Sequence, residues 1–518
     1  MIRSLVAALA LALLGVAPTP LPTAAPPAPV PPAATPAPAA PTPVGAPTIA
    51  PQPATAQEAH AHWPVEGASV AVQALLDRGV LMLYAFDVGE ARVAFGKAIA
   101  LDPHLALAYW GEAEADTIDI NAPQSSEGDL RGAEAVAAGR RHLAHASPVE
   151  KMLIDAIALR YGHGSKEQRF ARYADALDAW TRTHRDDANV LTVAAYARWN
   201  AEDTLSVHGA PTEKARAMLA DLDDALELEP TNLGAHHLRI HLLEETHRAR
   251  EAIPDAIALG SYAYPPGTSH LIHMPGHIWD RVGNYAQLVD DNERAVANDQ
   301  AWFSQGDGPG QAYMRNYHDH DVDFVLYGLT TVGRDADALA FARHEDAAMQ
   351  TRLAIRLHDD ATAEREAPAE ALLPRGIAAA RLGERAQAQR FRARLADDAV
   401  AQELIDAALA QHAGDLAARV AAYAKAYVAT KNDDPGDPKT YWATPVGEGY
   451  GAALLADHQP AQAEAVFAAE LMRFPDDPHL EWGLAEARTA QGKDDPGARA
   501  AYRAHWKGSR DLTLADLG

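Results

Sequence analysis

A spacing of small, bulky and helix-ending residues recurs along this chain with a period of 34 residues. The unit that begins at Val72 shows the spacing most completely, at positions 4, 8, 20, 24, 27 and 32: Leu75, Gly79, Ala91, Phe95, Ala98 and Pro103. Small residues on facing helices allow close approach, an aromatic residue fills the remaining gap, and a proline ends the second helix. We therefore expect stacked helical hairpins, because a single hairpin of this kind cannot bury its own apolar face.

The same register returns elsewhere in the chain. Near the C-terminus it places Gly451, Ala463, Phe467 and Pro475 at equivalent positions, and Gly283 lies at the turn of a central unit. The pattern resembles the tetratricopeptide repeat (TPR). The resemblance implies an all-α, TPR-type solenoid of helical hairpins wound into a right-handed superhelix. The sequence shows no alternating strand pattern, no glycine-rich phosphate loop, no Gly-x-Ser-x-Gly elbow and no His-Glu-x-x-His zinc motif.

The first 57 residues differ from the rest in composition. A basic start at Arg3 precedes an apolar run from Leu5 to Val16, which is typical of a signal peptide and short for a membrane span. We expect residues 1–17 to direct export, with an uncleaved anchor as the alternative. Residues 18–57 carry no charge and hold 15 of the 35 prolines, a composition that predicts a disordered Pro/Ala-rich linker. These features predict a periplasmic or secreted protein.

Beyond the linker we divide the chain into a TPR solenoid with a histidine-rich groove at residues 58–350 and C-terminal helical repeats at residues 351–518. The formal net charge of −26 makes the surface repel phosphate, which argues against nucleic acid as a partner. No apolar run after the signal segment is long enough for membrane insertion. The absence of cysteine excludes disulfides, thiolate zinc sites, iron–sulfur clusters and cysteine nucleophiles.

Histidine is concentrated in the middle of the chain, where nine of the 23 histidines lie between His236 and His320. Imidazole changes charge near neutral pH and is the commonest neutral metal ligand. In TPR proteins, positions 2, 5, 9, 12 and 13 of a unit line the concave groove, as the resemblance implies. In three consecutive central units those positions hold His237, His241, Glu244, His270, His273, His277, Asp280, Arg281, His320, Asp323 and Tyr327.

Three neighbouring helices are therefore predicted to direct imidazole and carboxylate groups into one hollow. Two histidines at i and i+4 lie about 6 Å apart along a helix and can share one ion. We predict copper, zinc or iron as the cofactor, with nickel also compatible. Pro275 leaves an alternative, because a helix that begins there would carry only His277 and leave two histidines on a preceding turn. The predicted metal ligands are His237, His241, His270, His273, His277, His320 and Asp323.

Further roles follow from chemistry if the groove is catalytic. Glu244 is then a base or a ligand, Arg281 holds an anionic group of the substrate, and Tyr327 supplies a hydroxyl. Aromatic residues upstream form either a wall of the adjoining groove or ordinary packing between helices: Tyr84, Phe86, Tyr109 and Trp110. Two alternative roles of the histidines stay open, namely packing between helices, as predicted for His236, and recognition of a peptide or small ligand.

Longer strings of the sequence resemble an uncharacterised bacterial family of secreted and cytoplasmic TPR proteins. They include GVLMLYAFDVGEARVAF, AHHLRIHLLEE, HLIHMPGHIWDRVGNY and GYGAALL, and they span nearly the whole mature chain. The resemblance implies a helical array with a histidine-rich centre and implies no reaction. Where relatives typically read His-Asn-x-His, this chain has Asp323 in place of the second histidine, which keeps a side chain that can bind metal.

The sequence thus predicts an exported TPR-type protein that binds a transition metal in its groove. That metal serves either an enzyme of unknown reaction or a metal carrier without turnover. The alternative is a scaffold without catalytic activity that binds a peptide or protein partner in the cell envelope. In each case the expected ligand of the groove is a small molecule or a peptide.

Overall fold

Short turns connect most of the helices of this protein. The structure is a computed structural model, and it describes residues 57–116, 126–202, 204–207, 209–306, 311–431, 441–493 and 495–518. Helices that follow one another along the chain pack against each other, as expected for hairpins joined by short turns. The predicted signal peptide at residues 1–17, and all but the last residue of the predicted linker at residues 18–57, lie outside the described residues.

The helices divide into three stretches along the chain. The first contains α1 (Val70–Tyr84), α2 (Val88–Leu101), α3 (Ala106–Ala115), α4 (Ser126–Gly139), α5 (Pro148–Arg160), α6 (Lys166–Thr181), α7 (Ala188–Asn200), α8 (Glu213–Leu228), α9 (Leu233–Glu244) and α10 (Ile253–Gly260). The central stretch contains α11 (Ser269–His273), α12 (Pro275–Val282), α13 (Tyr285–Phe303) and α14 (Gln311–Thr331).

The last stretch contains α15 (Asp335–Ala342), α16 (Ala347–Arg356), α17 (Asp360–Glu366), α18 (Leu372–Arg381), α19 (Arg385–Arg394), α20 (Ala399–Ala413), α21 (Leu416–Thr430), α22 (Val446–Ala456), α23 (Pro460–Arg473), α24 (Pro478–Ala490) and α25 (Pro496–His505). Single 3₁₀ turns lie at Arg140–His142, Ala249–Ala252 and Leu514–Leu517. A two-residue hairpin, β1 (Ser206–Val207) with β2 (Ala210–Pro211), is a small addition that the sequence did not predict.

The predicted packing of the repeat is confirmed at both ends of the chain. The buried ring of Phe95 lies between Gly79 of α1 and Gly111 of α3, and a Cβ atom added to Gly79 would lie 2.6 Å from that ring. The buried ring of Phe467 lies in the same way between Gly451 and Gly483. Glycine leaves the space that each aromatic ring occupies, so the helices of neighbouring hairpins approach closely. The architecture is an all-α, TPR-type array of helical hairpins.

Two glycines end central helices where the register predicted turns. Gly283 follows α12 with a φ of +77°, and Gly333 follows α14 with a φ of +80°. Glycine adopts this left-handed conformation without the steric cost that a side chain would bring. The register counted back from Gly333 places His320 at position 2 of its unit, near the start of a helix. In the structure α14 begins at Gln311 and carries His320 near its middle. The sequence before His320 contains no proline or glycine back to Gln311, so nothing ends the helix earlier.

The described part of the chain belongs to one compact unit, and the predicted division at residue 350 stays a prediction. Among the described residues, no helix combines the length and the apolar character that crossing a membrane requires.

Candidate metal centre

Six histidines from four helices meet in the interior of the protein. They form two groups of three, and within each group the atoms available for ligation lie within 4.8 Å of one another. The groups adjoin, because ring centroids are 5.7 Å apart between His270 and His273 and 6.2 Å apart between His241 and His277. We name the groups the first triad (His237, His241 and His270) and the second triad (His273, His277 and His320), and we name the space that they surround the chamber.

Helical periodicity explains part of this arrangement. Residues four apart lie on one face of an α-helix, so His237 and His241 project from the same side of α9. His320 reaches the second triad from α14, with its ring centroid 4.8 Å from that of His273. The chamber therefore depends on contacts between α9, the pair α11 and α12, and α14.

Pro275 separates α11 from α12 without turning the chain away from the chamber. Met274, which lies between the two helices, keeps right-handed helical angles with φ −50° and ψ −38°. His270 and His273 on α11 therefore face the chamber together with His277 on α12, and all three are buried. The sequence left open whether a helix that begins at Pro275 would leave His270 and His273 outside the groove. In the structure the helix does divide at Pro275, and all three histidines still face the chamber.

Glu244 lies between the two triads. Its Oε1 atom is 2.9 Å from Nδ1 of His241, and its Oε2 atom is 3.3 Å from Nδ1 of His277. One carboxylate thus contacts one histidine of each triad. An imidazole that donates Nδ1–H to a carboxylate is held in one tautomer and one orientation, with its Nε2 lone pair available to a metal.

In the first triad, the main chain sets the tautomer of His237. Its Nδ1 atom lies 2.7 Å from the carbonyl oxygen of Tyr84, which only accepts hydrogen bonds, so Nδ1 carries the proton. Nε2 of His237 is then an acceptor, and neither it nor either ring nitrogen of His270 has a hydrogen-bond partner among the described residues. Burial lowers the pKa of both rings well below the usual value, so both stay neutral at neutral pH.

In the second triad, Asn292 sets the tautomer of His273. The amide of Asn292 donates to the carbonyl of Leu288 at 2.8 Å, so its Oδ1 atom faces Nδ1 of His273, at 2.6 Å. A carboxylate oxygen of Asp321 lies 3.0 Å from the same nitrogen. Nδ1 of His273 therefore carries the proton, and Nε2 lies 2.8 Å from Nε2 of His277.

Phe86 closes the first triad on one side. Its ring centroid lies 4.5 Å from that of His237 and 5.1 Å from that of His270. The residue is buried with a φ of +60°, which is unusual for a bulky side chain and costs conformational free energy. The packing of Phe86 against the imidazoles helps to stabilise that conformation.

Sequence reasoning missed the groups that orient the imidazoles, namely the Tyr84 carbonyl and Asn292. A signal for Asn292 was present, because it occupies position 24 of its unit, where Phe95 and Phe467 lie in the units at the two ends. A polar residue at a packing position of a histidine-rich unit indicates a hydrogen bond to one of those histidines. The carbonyl of Tyr84 gives no signal in the sequence, because it comes from the end of α1, 153 residues away.

Asp323 is the one predicted ligand that the structure does not bring to either triad. Its carboxylate accepts hydrogen bonds from Arg352 at 2.5 Å and from the indole of Trp442 at 3.1 Å. Both carboxylate oxygens of Asp323 are thus engaged by residues outside the chamber, and its predicted ligation stays a prediction. Asp321 lies nearer, in contact with His273.

Arg281 and Tyr327 contact protein groups near the chamber. Arg281 donates to the main-chain carbonyls of Glu244 at 3.0 Å and Arg473 at 2.6 Å, and the buried hydroxyl of Tyr327 donates to Asp280 at 2.9 Å. Their proposed roles in catalysis stay predictions. His236 lies outside both triads, with its ring nitrogens against Asp255 at 2.7 Å and the carbonyl of Pro230 at 3.0 Å.

Comparison with known proteins gives no family assignment. No family model matches the chain, and no curated protein matches it. Among solved structures, a human IFIT1 dimer with m7Gppp-AAAA has 14% identity and a TM-score of 0.33, over 83% of this chain and 89% of that one. The TPR domain of P58(IPK) has 14% identity and a TM-score of 0.23, over 81% of this chain and 98% of that one. At TM-scores this low, neither structure is a guide to the function of this chain.

Proposed function

We propose that the chamber binds two transition-metal ions, one in each triad. The observation that carries this proposal is the convergence of three imidazoles in each triad, where the atoms available for ligation lie within 4.8 Å of one another. Imidazole nitrogens bind transition metals at roughly 2.0–2.1 Å, so three nitrogens this close together can share one ion after small rotations of the rings.

An N–H···N hydrogen bond between His273 and His277 accounts for the 2.8 Å contact in the second triad. It does not explain the first triad, where Nε2 of His237 and both nitrogens of His270 are buried without hydrogen-bond partners in the described part of the chain. Burial of a polar group without a partner costs about 1–3 kcal/mol. A metal ion supplies partners for such nitrogens in both triads.

The donor set indicates the class of metal. Six imidazoles and a nearby carboxylate, with no thiolate in the chain, suit copper, zinc or iron. Three protein ligands leave coordination positions for water or substrate, as in catalytic rather than structural zinc sites. The proposal therefore favours a metalloenzyme over a carrier, with its reaction unassigned. From the composition of the first 57 residues alone, we propose that it works in the periplasm or outside the cell.

Metal analysis of the purified protein tests the proposal. We expect close to two equivalents of one transition metal after removal by chelator and reconstitution, and about one equivalent in His277→Ala. His184→Ala is the matched control, because His184 is an exposed histidine outside the chamber. Less than about 0.2 equivalents in the reconstituted protein would overturn the proposal.

The alternative function is a scaffold that binds a peptide or protein partner, and the array of helical hairpins supports it, since such arrays present extended binding surfaces. A stoichiometric protein partner that is lost with His277→Ala and is indifferent to chelator would favour the scaffold over the metal centre.

A further inference from the structure

One phenylalanine packs against each triad. The ring centroid of Phe86 lies 4.5–6.0 Å from those of the three histidines of the first triad. The ring centroid of Phe324 lies 4.6–5.0 Å from those of the three histidines of the second triad. Both phenylalanines are buried, so each of them shields its own triad from water.

The two triads contact each other directly. Their ring centroids approach to 5.7 Å between His270 and His273 and to 6.2 Å between His241 and His277. The rings within one triad are hardly closer, at 4.7–5.7 Å. An ion lies roughly 2.0–2.1 Å from a ligating nitrogen, so ions in the two triads would be close enough for one small molecule to contact both.

The open coordination positions of the two ions would lie toward each other. Three imidazoles leave a transition-metal ion with at least one position for another ligand. On the side that Phe86 or Phe324 covers, an ion meets a ring without a lone pair to donate. The position that remains for a ligand from outside the protein is therefore on the side of the other triad, where Glu244 contacts one ring of each.

The space between the triads limits the size of that ligand. Four of the six histidines, His237, His270, His273 and His277, are buried, and Glu244 is only 7% exposed. Aromatic rings with centroids roughly 4.5–7 Å apart are in direct contact, so the triads leave space for only a few atoms between them. An organic substrate, which typically needs a pocket of roughly 300–1,000 Å³, is too large.

We infer that the two ions form one binuclear centre, and that its reactant is a molecule of two or three heavy atoms that binds to both ions. Dioxygen, hydroxide and azide are of this size. Copper and iron, which imidazole ligands suit, are metals that proteins use for the chemistry of dioxygen. This inference rests on the proposed function, because it requires an ion in each triad.

Copper(II) and azide test the inference on the full chain, after metal analysis has established two copper ions per chain. Electron paramagnetic resonance should show a half-field transition, which two interacting copper(II) ions produce and isolated ions do not. Titration with azide, followed by its charge-transfer absorption, should saturate at one azide per pair of ions.

Variants with a single ion provide the comparison. His277→Ala should keep about one copper ion, lose the half-field transition and bind one azide per ion. His270→Ala should behave in the same way with the other triad occupied, so the test does not depend on the folding of one variant. His184→Ala, which removes an exposed histidine outside the chamber, should keep the transition and the wild-type stoichiometry. Circular dichroism verifies the fold of each variant.

Two copper ions per chain with the spectrum of isolated ions, or with one azide per ion, would overturn the inference and leave the proposed function intact. A half-field transition that persists in folded His277→Ala with one copper ion would overturn it as well. Fewer than two copper ions in the reconstituted wild-type chain would overturn the proposed function and the binuclear centre together.

Discussion

Removal of the Glu244 side chain should weaken both metal sites at once. Its two carboxylate oxygens lie 2.9 Å from Nδ1 of His241 and 3.3 Å from Nδ1 of His277, so the carboxylate contacts one ring of each triad. Loss of such an orienting group typically lowers metal affinity by about 10- to 100-fold. For Glu244→Ala we therefore expect a loss of about 1.4–2.7 kcal/mol at each site, although all six imidazoles remain.

Glu244→Gln sharpens the test. Its side chain keeps one acceptor oxygen and replaces the other with an amide that donates, so it can orient only one of the two imidazoles. We expect one binding step to weaken and the other to keep its affinity. Competition for metal with a chromogenic chelator resolves the two binding steps. Circular dichroism of the metal-free wild type and variants verifies that each variant is folded.

The control is Glu251→Ala, which removes a carboxylate that is 51% exposed and pairs with Arg248. It should leave both steps unchanged. The reasoning would be refuted if Glu244→Ala weakened a single step, or if Glu244→Gln and Glu244→Ala weakened both steps equally. The second result would instead indicate that Glu244 binds the metal directly.

Three other perturbations follow from contacts in the structure. Asn292→Ala should lower metal affinity in the second triad only, by about 10-fold, because it removes the acceptor of His273, and chelator competition would detect a change in one step. His318→Gln should destabilise the fold by about 1–3 kcal/mol at pH 6 in urea unfolding, because its hydrogen bonds with two carboxylates outweigh burial and raise its pKa to about 10. Because the pKa of His318 is raised on folding, its contribution to stability is complete below the unfolded pKa of about 6.5. The difference in unfolding free energy between wild type and His318→Gln should therefore shrink between about pH 6.5 and pH 10, and a difference that stays constant would contradict this reasoning. Gly451→Ala should cost about 1–3 kcal/mol despite its better helix propensity, since its Cβ would meet the buried Phe467 ring, and an unchanged melting temperature would contradict this packing.

Much of the chamber was predictable because it depends on spacing along single helices. Histidines four apart on α9 share a face, and so do His273 and His277 across the break at Pro275. The repeat register also indicated that the three helical segments are neighbours. Six of the seven predicted ligands come together for these reasons.

The division of six histidines into two triads was not predictable from spacing. It depends on how far apart α9, α11, α12 and α14 lie, and side chains throughout the interior determine those separations. The same dependence explains the position of Asp323, which contacts Arg352 and Trp442 from more distant parts of the chain. A repeat register counted from one turn glycine assigns each residue to a face of its helix. It does not show which residue of a neighbouring helix that side chain will contact.

By itself, the sequence determined that this protein is a stack of helical hairpins with imidazoles on neighbouring helices. Both properties are periodic, and the interactions behind them act over a few residues. Only the tertiary structure decided the tautomers of His237 and His273, because their partners are a carbonyl on α1 and an amide on α13. It also decided that Phe86 packs against the first triad. Hydrogen bonds and ring contacts of this kind depend on distances of a few tenths of an ångström between distant segments, and only the packed chain sets those distances.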